Sequence, residues 1–205
     1  SDLMAQARRL NKRLVIFLTL GIMVLLTLAI AILVIYPSAH RDPKLFGDRG
    51  DEFLAQEKYQ DAINAYRRAY RYSRNDPAWL LKISDCYYRM GEVGDALSQL
   101  ELAVVSNPNL IEAHQRQLEI LFKMMGRTAP AKHMKRLEES AQKLIELIPE
   151  AQAQTDPAKR KLLAEAHHAY GLALYSRRSE NEALAQQGVA EIKKALALDR
   201  SEEHT

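Results

Sequence analysis

The sequence predicts an all-α protein: one N-terminal transmembrane helix followed by an α-solenoid of about four helix pairs. Three observations carry this expectation. A charge-free apolar run fills Leu14 to Tyr36. Further on, large and small residues recur at a spacing of 34 residues, as in a repeat array. Gly (8) and Pro (7) are sparse among 205 residues, too few for the many turns of an all-β fold. With 47% hydrophobic and 27% charged residues, the chain has the composition of a globular rather than a disordered sequence.

Residues 1–13 form a basic tail. Arg8, Arg9, Lys12 and Arg13 against Asp2 account for the whole net charge of +3, and the remainder carries 25 basic and 25 acidic side chains. The folded part therefore lacks the basic excess of a nucleic-acid binder. Leu14 to Tyr36 follows, 23 residues without a charge. As a helix it is about 35 Å long, enough for a hydrocarbon layer of about 30 Å. The run is too long for a signal h-region, and Tyr36-Pro37-Ser38-Ala39-His40 is a poor cleavage site, so a retained span is expected. Four cations precede the span, while Arg41 and Lys44 after it are interspersed with Asp42 and Asp48. The positive-inside bias then puts the tail in the cytoplasm and everything beyond Pro37 outside it, facing the periplasm if the membrane is a bacterial inner membrane. Gly21 lacks a small partner four residues on, so no GxxxG dimer motif is present. Residues 37–43, with Pro37 and Pro43, read as a linker that ends the span.

The repeat domain is expected over 44–200, and Pro77 to Leu110 is its clearest unit. Asp76 and Pro77 are start signals for a helix. Trp79, Leu80, Ile83, Tyr87 and Met90 then recur at helical spacing. Gly91 and Gly94 mark a turn, Ala96, Leu97, Leu100 and Ala103 begin a second stripe, and Asn107-Pro108 ends it. Thirty-four residues earlier, in 43–76, Phe46, Gly50 and Phe53 fall where Leu80, Ser84 and Tyr87 fall, and Ala62, Tyr66 and Ala69 where Ala96, Leu100 and Ala103 fall.

These residues resemble tetratricopeptide repeats. That signature is a large, a small and an aromatic residue on the first helix, then Ala, an aromatic or Leu, and Ala on the second, with Pro near the end. Arg74 stands where the first copy would have its Pro. Later units depart further. The third, 111–149, opens with His114, Leu118 and Leu121, continues with Leu137, Ala141, Leu144 and Ile148, and reaches Pro149 seven residues late, with the excess expected near 126–132. Residues 151–155 read as a polar linker. The fourth unit, 156–200, has Leu163, His167, Tyr170, Gly171 and Leu174, then Ile192, Ala195 and Leu198. The chain begins without Met, which suggests processing or a partial chain. At its other end, either the helix ending at Asp199 closes the stack before the tail 201–205, or further chain follows Thr205.

No catalytic constellation is found: no Gly-rich phosphate loop, no HExxH, no GxSxG. His167 and His168 are adjacent, hence about 100° apart on a helix, and cannot chelate one ion together. Cys86 is alone, which rules out an internal disulfide and a Cys-pair metal site, and reads as a small core residue. No catalytic residue, metal, cofactor or small-molecule substrate is expected, and the chain is not expected to be an enzyme. An enzymatic role would need a further domain beyond Thr205.

The resemblance implies instead a concave face, lined by the first helix of each pair, that holds a peptide or partner helix. The matching positions are Lys44, Asp51, Leu54, Leu81, Asp85, Tyr88, Arg89, Glu119, Phe122, Lys123, His168, Leu172 and Tyr175. Members that grip the C-terminal carboxylate of heat-shock chaperones use Lys, Asn and Arg at positions matching Gly47, Asp51, Lys82, Glu112 and Arg116. Only Arg116 agrees, and Asp51 and Glu112 would repel a carboxylate. The expected function is a membrane-anchored adaptor or assembly factor with a protein partner in a membrane-associated complex and no nucleic acid. The alternative is a fixed structural subunit of a large membrane complex, its helix packed against other spans.

Overall fold

A computed structural model describes residues 2–39, 42–125 and 131–200. Among them the chain is helical, with no strand. Helix α1 (Asp2–Ala39) is followed by the pairs α2 (Pro43–Ala55) and α3 (Tyr59–Tyr72), then α4 (Ala78–Arg89) and α5 (Val93–Ser106). The third pair is α6 (Ile111–Met125) and α7 (Ala131–Leu147). A short α8 (Glu150–Thr155) precedes the fourth pair, α9 (Pro157–Ser176) and α10 (Glu182–Arg200). Each helix packs on its chain neighbour from α2 to α7, α7 then packs on α9, and α9 on α10. This is the one-dimensional stacking of an α-solenoid.

One stretch of α1, Leu14–Ile32, is long and apolar enough to cross a membrane, with mean hydropathy 2.9 and no part of it buried within the molecule. Its large apolar side chains are 54–74% exposed all round, a surface that water does not favour. Thr19 and Thr27 direct their hydroxyls back to the carbonyls of Ile16 and Val24, at 2.9 and 2.8 Å. Their polar groups are thus satisfied within the helix. The helical backbone continues to Ala39 rather than stopping at Tyr36, because Pro37 removes only one backbone donor, close to the helix end.

The exit turns of α2 and α4 are copies down to their hydrogen bonds. In α2's exit turn Gln56, Glu57 and Lys58 N–H donate to the carbonyls of Glu52, Leu54 and Phe53; in α4's exit turn Met90, Gly91 and Glu92 donate to Cys86, Tyr88 and Tyr87. Every member of the second set lies 34 residues beyond its counterpart. This closure needs a left-handed residue, supplied by Glu57 at φ 59° and by Gly91 at φ 81°. The paired helices also exchange volume. A Cβ on Gly50 would lie 2.4 Å from the Tyr66 ring. In the next copy Leu100 replaces Tyr66, and a Ser fits at position 84, its hydroxyl bonded to the Ala96 carbonyl at 2.9 Å.

Ile63, Tyr66, Ile83, Leu97, Leu100, Leu118, Leu121, Leu137, Leu144 and Leu163 run through the stack as one buried core. Each such side chain contributes about 1.5–3 kcal/mol by leaving water. Cys86 is in this core, and burial pushes its thiol up to about 11, so it is inert at neutral pH. The segment 151–155, read as a polar linker, is instead the helix α8. Pro149 in an extended conformation starts it, and Ala153 is fully buried where α8 packs on α9. The excess length of the third unit lies partly in α6 and α7 themselves, at 15 and 17 residues against 12 and 14 in α4 and α5. Residues 126–130 lie outside the described residues.

Candidate functional site: the faces of the first helices

The first helices α2, α4, α6 and α9 are tied together side by side by polar and aromatic contacts. Between α2 and α4, Lys82 Nζ lies 2.5 Å from Asp51 Oδ1, which also accepts the Tyr66 hydroxyl proton at 2.6 Å. Burial works to raise the Asp51 carboxyl, but the hydrogen bonds from Lys82 and Tyr66 outweigh it and hold it below the usual carboxylate range. Between α4 and α6, Arg116 pairs with Asp85 while also reaching Glu112 at 2.8 Å. Asp85, Tyr88, Arg89, Glu112, Arg116 and Glu119 line one cleft there. At its far side Lys123 Nζ stands 5.4 Å from the centre of the Tyr88 ring, a cation–π distance. Between α6 and α9, the Phe122 and His168 rings are 5.6 Å apart.

Of the residues expected on this face, Asp85, Tyr88, Phe122 and Leu172 are half-buried, and Arg89, Glu119, Lys123 and His168 are exposed. Tyr175, two turns on from His168, is exposed with Arg178 over its ring at 5.0 Å. Leu54 is half-buried and packs against the core. Leu81 is different: at 3% exposure it belongs to the core and offers only its carbonyl, which accepts from Arg116 Nη1 at 3.4 Å. The family resemblance placed it on the inner face, but it adjoins Leu80 on a helix whose apolar stripe is wider than one residue.

Several members of the site carried no motif. Glu165 stands with Lys161, His168, Ile192 and Leu196 around a second cleft, between α9 and α10. Burial pushes its carboxyl up, Lys161 draws it back, and Glu119 adds to the rise. Beneath that cleft His167 is buried and its Nδ1 lies 2.6 Å from Glu191, itself buried and bonded to Lys194 at 2.9 Å. Burial acts to raise Glu191, and the hydrogen bonds from Lys194 and His167 overcome it, leaving the carboxyl below its ordinary value. An acid on the stripe Gly188, Glu191, Ala195, Leu198 was the available signal. No group of three His, Cys, Asp or Glu side chains able to hold a metal occurs among the described residues.

The positions matching a chaperone clamp are not free. Gly47 is held small by the Trp79 ring, 2.2 Å from where a Cβ would sit. Lys82 and Arg116 are already neutralised by carboxylates.

Residues 53–118 match the family model of the tetratricopeptide repeat. The chain is 26% identical over 113 residues to Hsp70-Hsp90 organizing protein 2 of Arabidopsis thaliana, a match covering 55% of this chain and 19% of that protein. It is 28% identical over 86 residues to the Hsp70-Hsp90 organizing protein of Triticum aestivum, covering 40% and 15%. The chain thus spans no more than about a fifth of the length of these relatives. Among solved structures, the crystal structure of MamA superposes with a TM-score of 0.53 at 16% identity, over 85% of this chain and 88% of that one. That likeness concerns the fold alone. Residues 53–118 are therefore similar to tetratricopeptide repeats, and the stack that contains them is an all-α solenoid of that type.

Proposed function

We propose that the chain is a membrane-anchored adaptor or assembly factor that holds a segment of another protein against its first helices. The observation that carries this is the row formed by Tyr88 with Lys123, Phe122 with His168, and Tyr175 beyond them, beside a cleft bearing both charge signs. Half-buried aromatics and Arg supply most of the energy at protein interfaces, and a mixed polar rim supplies register. The relatives' names connect them with Hsp70 and Hsp90, which supports a protein partner as a class. The filled space at Gly47 and the paired Lys82 and Arg116 argue against a partner gripped by its terminal carboxylate. Partner recognition here runs through aromatic anchors.

The exposed apolar length of α1 supports the anchor, and the four cations before it support a cytoplasmic N-terminus with the stack on the opposite side. Tethering raises the effective concentration of the stack near membrane-bound partners without any new contact. Replacing Tyr88, Phe122 and Tyr175 together with Ala in the full chain, in its native membrane, tests the reading. Recovery of co-purifying protein is expected to fall at least tenfold while the chain stays helical, with a lowered unfolding midpoint because Tyr88 and Phe122 pack against the core. Unchanged recovery overturns it.

A further inference from the structure

The second half of α3 carries Arg67, Arg68 and Arg71, with Arg74 just beyond it, and no acid among them. All four are exposed. Elsewhere Arg116, Arg136 and Arg177 each reach a carboxylate. Among the described residues none of these four pairs with a carboxylate. Arg67 donates to the Tyr87 hydroxyl at 2.7 Å, and Arg68 lies over the Phe46 ring at 6.0 Å. Arg67, Arg68 and Arg71 line a shallow depression with Asn64 and Tyr70.

Apolar groups adjoin this charge. The Phe46 and Tyr72 rings are 5.3 Å apart. Tyr72 is 41% exposed, and Leu45 is 56% exposed beside the exposed Lys44. Several acids of the same unit are engaged or lie elsewhere: Asp42 caps α2, Asp51 is committed to Lys82 and Tyr66, Glu57 is in the turn after α2, and Asp61 is in the first turn of α3. Asp76, two residues beyond Arg74, accepts from the Ala78 N–H at 3.0 Å, and Asp48 and Glu52 follow one and two turns beyond Leu45 on α2.

We infer that this surface docks on the anionic headgroup layer of the membrane that α1 crosses, laying the first helix pair against the bilayer. The inference rests on the reading of α1 as a span. Three residues separate Ala39 from Pro43, so the connection reaches at most about 14 Å. The pair is therefore held within reach of the headgroups, where clustered arginines find phosphate partners and an exposed Tyr suits the interface. Docking fixes the direction in which the rest of the stack presents its first helices. It is an electrostatic contact, weakened once salt shortens the screening length to a few ångström.

The test uses the full chain in vesicles of phosphatidylcholine with or without anionic phosphatidylglycerol. A dye on Asn64→Cys reports the patch and one on Val105→Cys, 74% exposed in the original, reports the outer helix. Cys86, buried and with its thiol raised to about 11, stays unlabelled. Headgroup spin-labelled lipid is expected to quench the Asn64 dye severalfold more in anionic than in neutral vesicles. One molar salt, or Arg68→Gln with Arg71→Gln and Arg74→Gln, should abolish the difference, and the Val105 dye should not respond. Equal quenching in both lipids, or quenching that survives the Arg substitutions, overturns the inference, as does selective protection of the Asn64 dye by an acidic protein instead of lipid. An alkaline wash separates the two levels. Protein retained without lipid-dependent quenching sinks the docking alone, whereas protein released by the wash sinks the span and the docking with it.

Discussion

Between α2 and α5 the helices meet through side chains that trade size in register, Gly50 against Tyr66 in one copy and Ser84 with Leu100 in the next. Between α9 and α10 the backbones themselves touch: a Cβ on Gly171 would lie 2.6 Å from the Gly188 carbonyl, and one on Gly188 equally close to that of Gly171. Ser84 satisfies itself on a backbone carbonyl within its own unit. In the later units Ser140 pairs with the Gln117 side chain at 2.6 Å and His167 with Glu191, as Tyr66 does with Asp51 in the first unit. The early units thus trade side-chain volume at matching positions, whereas α9 and α10 meet backbone to backbone.

The sharpest way to break this comparison is to enlarge the glycines. Gly171→Ser is expected to cost about 3 kcal/mol, and adding Ile192→Ala should recover little, because the Gly188 carbonyl remains. Gly50→Ser should cost about 2 kcal/mol, but Tyr66→Leu alongside it should return about half, reproducing the next copy. Chemical unfolding of the detergent-solubilised chain measures both cycles, and equal rescue at the two sites would contradict the distinction.

Next in size is the buried pair. Glu191→Ala leaves His167 and Lys194 without their acceptor and is expected to cost about 2 kcal/mol. Since Glu191 sits below its ordinary value of 4.5 in the fold, its contribution is complete above that pH and is lost as pH falls below it.

Acid should reach the third unit earlier than the first. His114 Nε2–H donates to the Pro108 carbonyl at 2.9 Å, and its buried Nδ1 has no partner among the described residues. Burial holds His114 below its ordinary 6.5. The unfolded chain therefore takes up the proton first, and stability declines as pH drops below about 6.5. Asp51, lowered from 3.8, keeps its contribution until pH falls below that value. His114→Gln, which keeps an N–H for Pro108, should flatten the decline of the unfolding midpoint below pH 6.5; an unchanged slope would place the titration elsewhere.

The smallest effect concerns the turn shared by the two early copies. Gly91→Ala, at φ 81°, should destabilise by about 1 kcal/mol, and Glu57→Gly at the matching position should stabilise by about 0.5 kcal/mol.

This contrast also explains what could be read in advance. Ala62, Tyr66, Ala96 and Leu100 were legible because apolar packing at a fixed helix length writes a period into the sequence. Helix α8 was hidden because Gln152 and Gln154 flank Ala153 with polar residues, and only the fold shows that Ala153 is buried. Gly188 and Glu191 were hidden because a backbone contact and a buried ion pair leave no periodic trace. On the first helices, Tyr88, Phe122 and His168 were named from the family resemblance as candidates for the inner face, while the burial of Leu81 shows only in the fold.

The central claim is that partners are held by the first helices and not by the outer ones. Photo-crosslinking in native membrane from Tyr88, Phe122 and Tyr175, against Leu102 and Val105 on α5, which are 51% and 74% exposed, tests it directly. The account predicts one discrete adduct from each of the first three positions and none from the α5 pair. Adducts from Leu102 and Val105 alone, or the same adducts from all five, would contradict it.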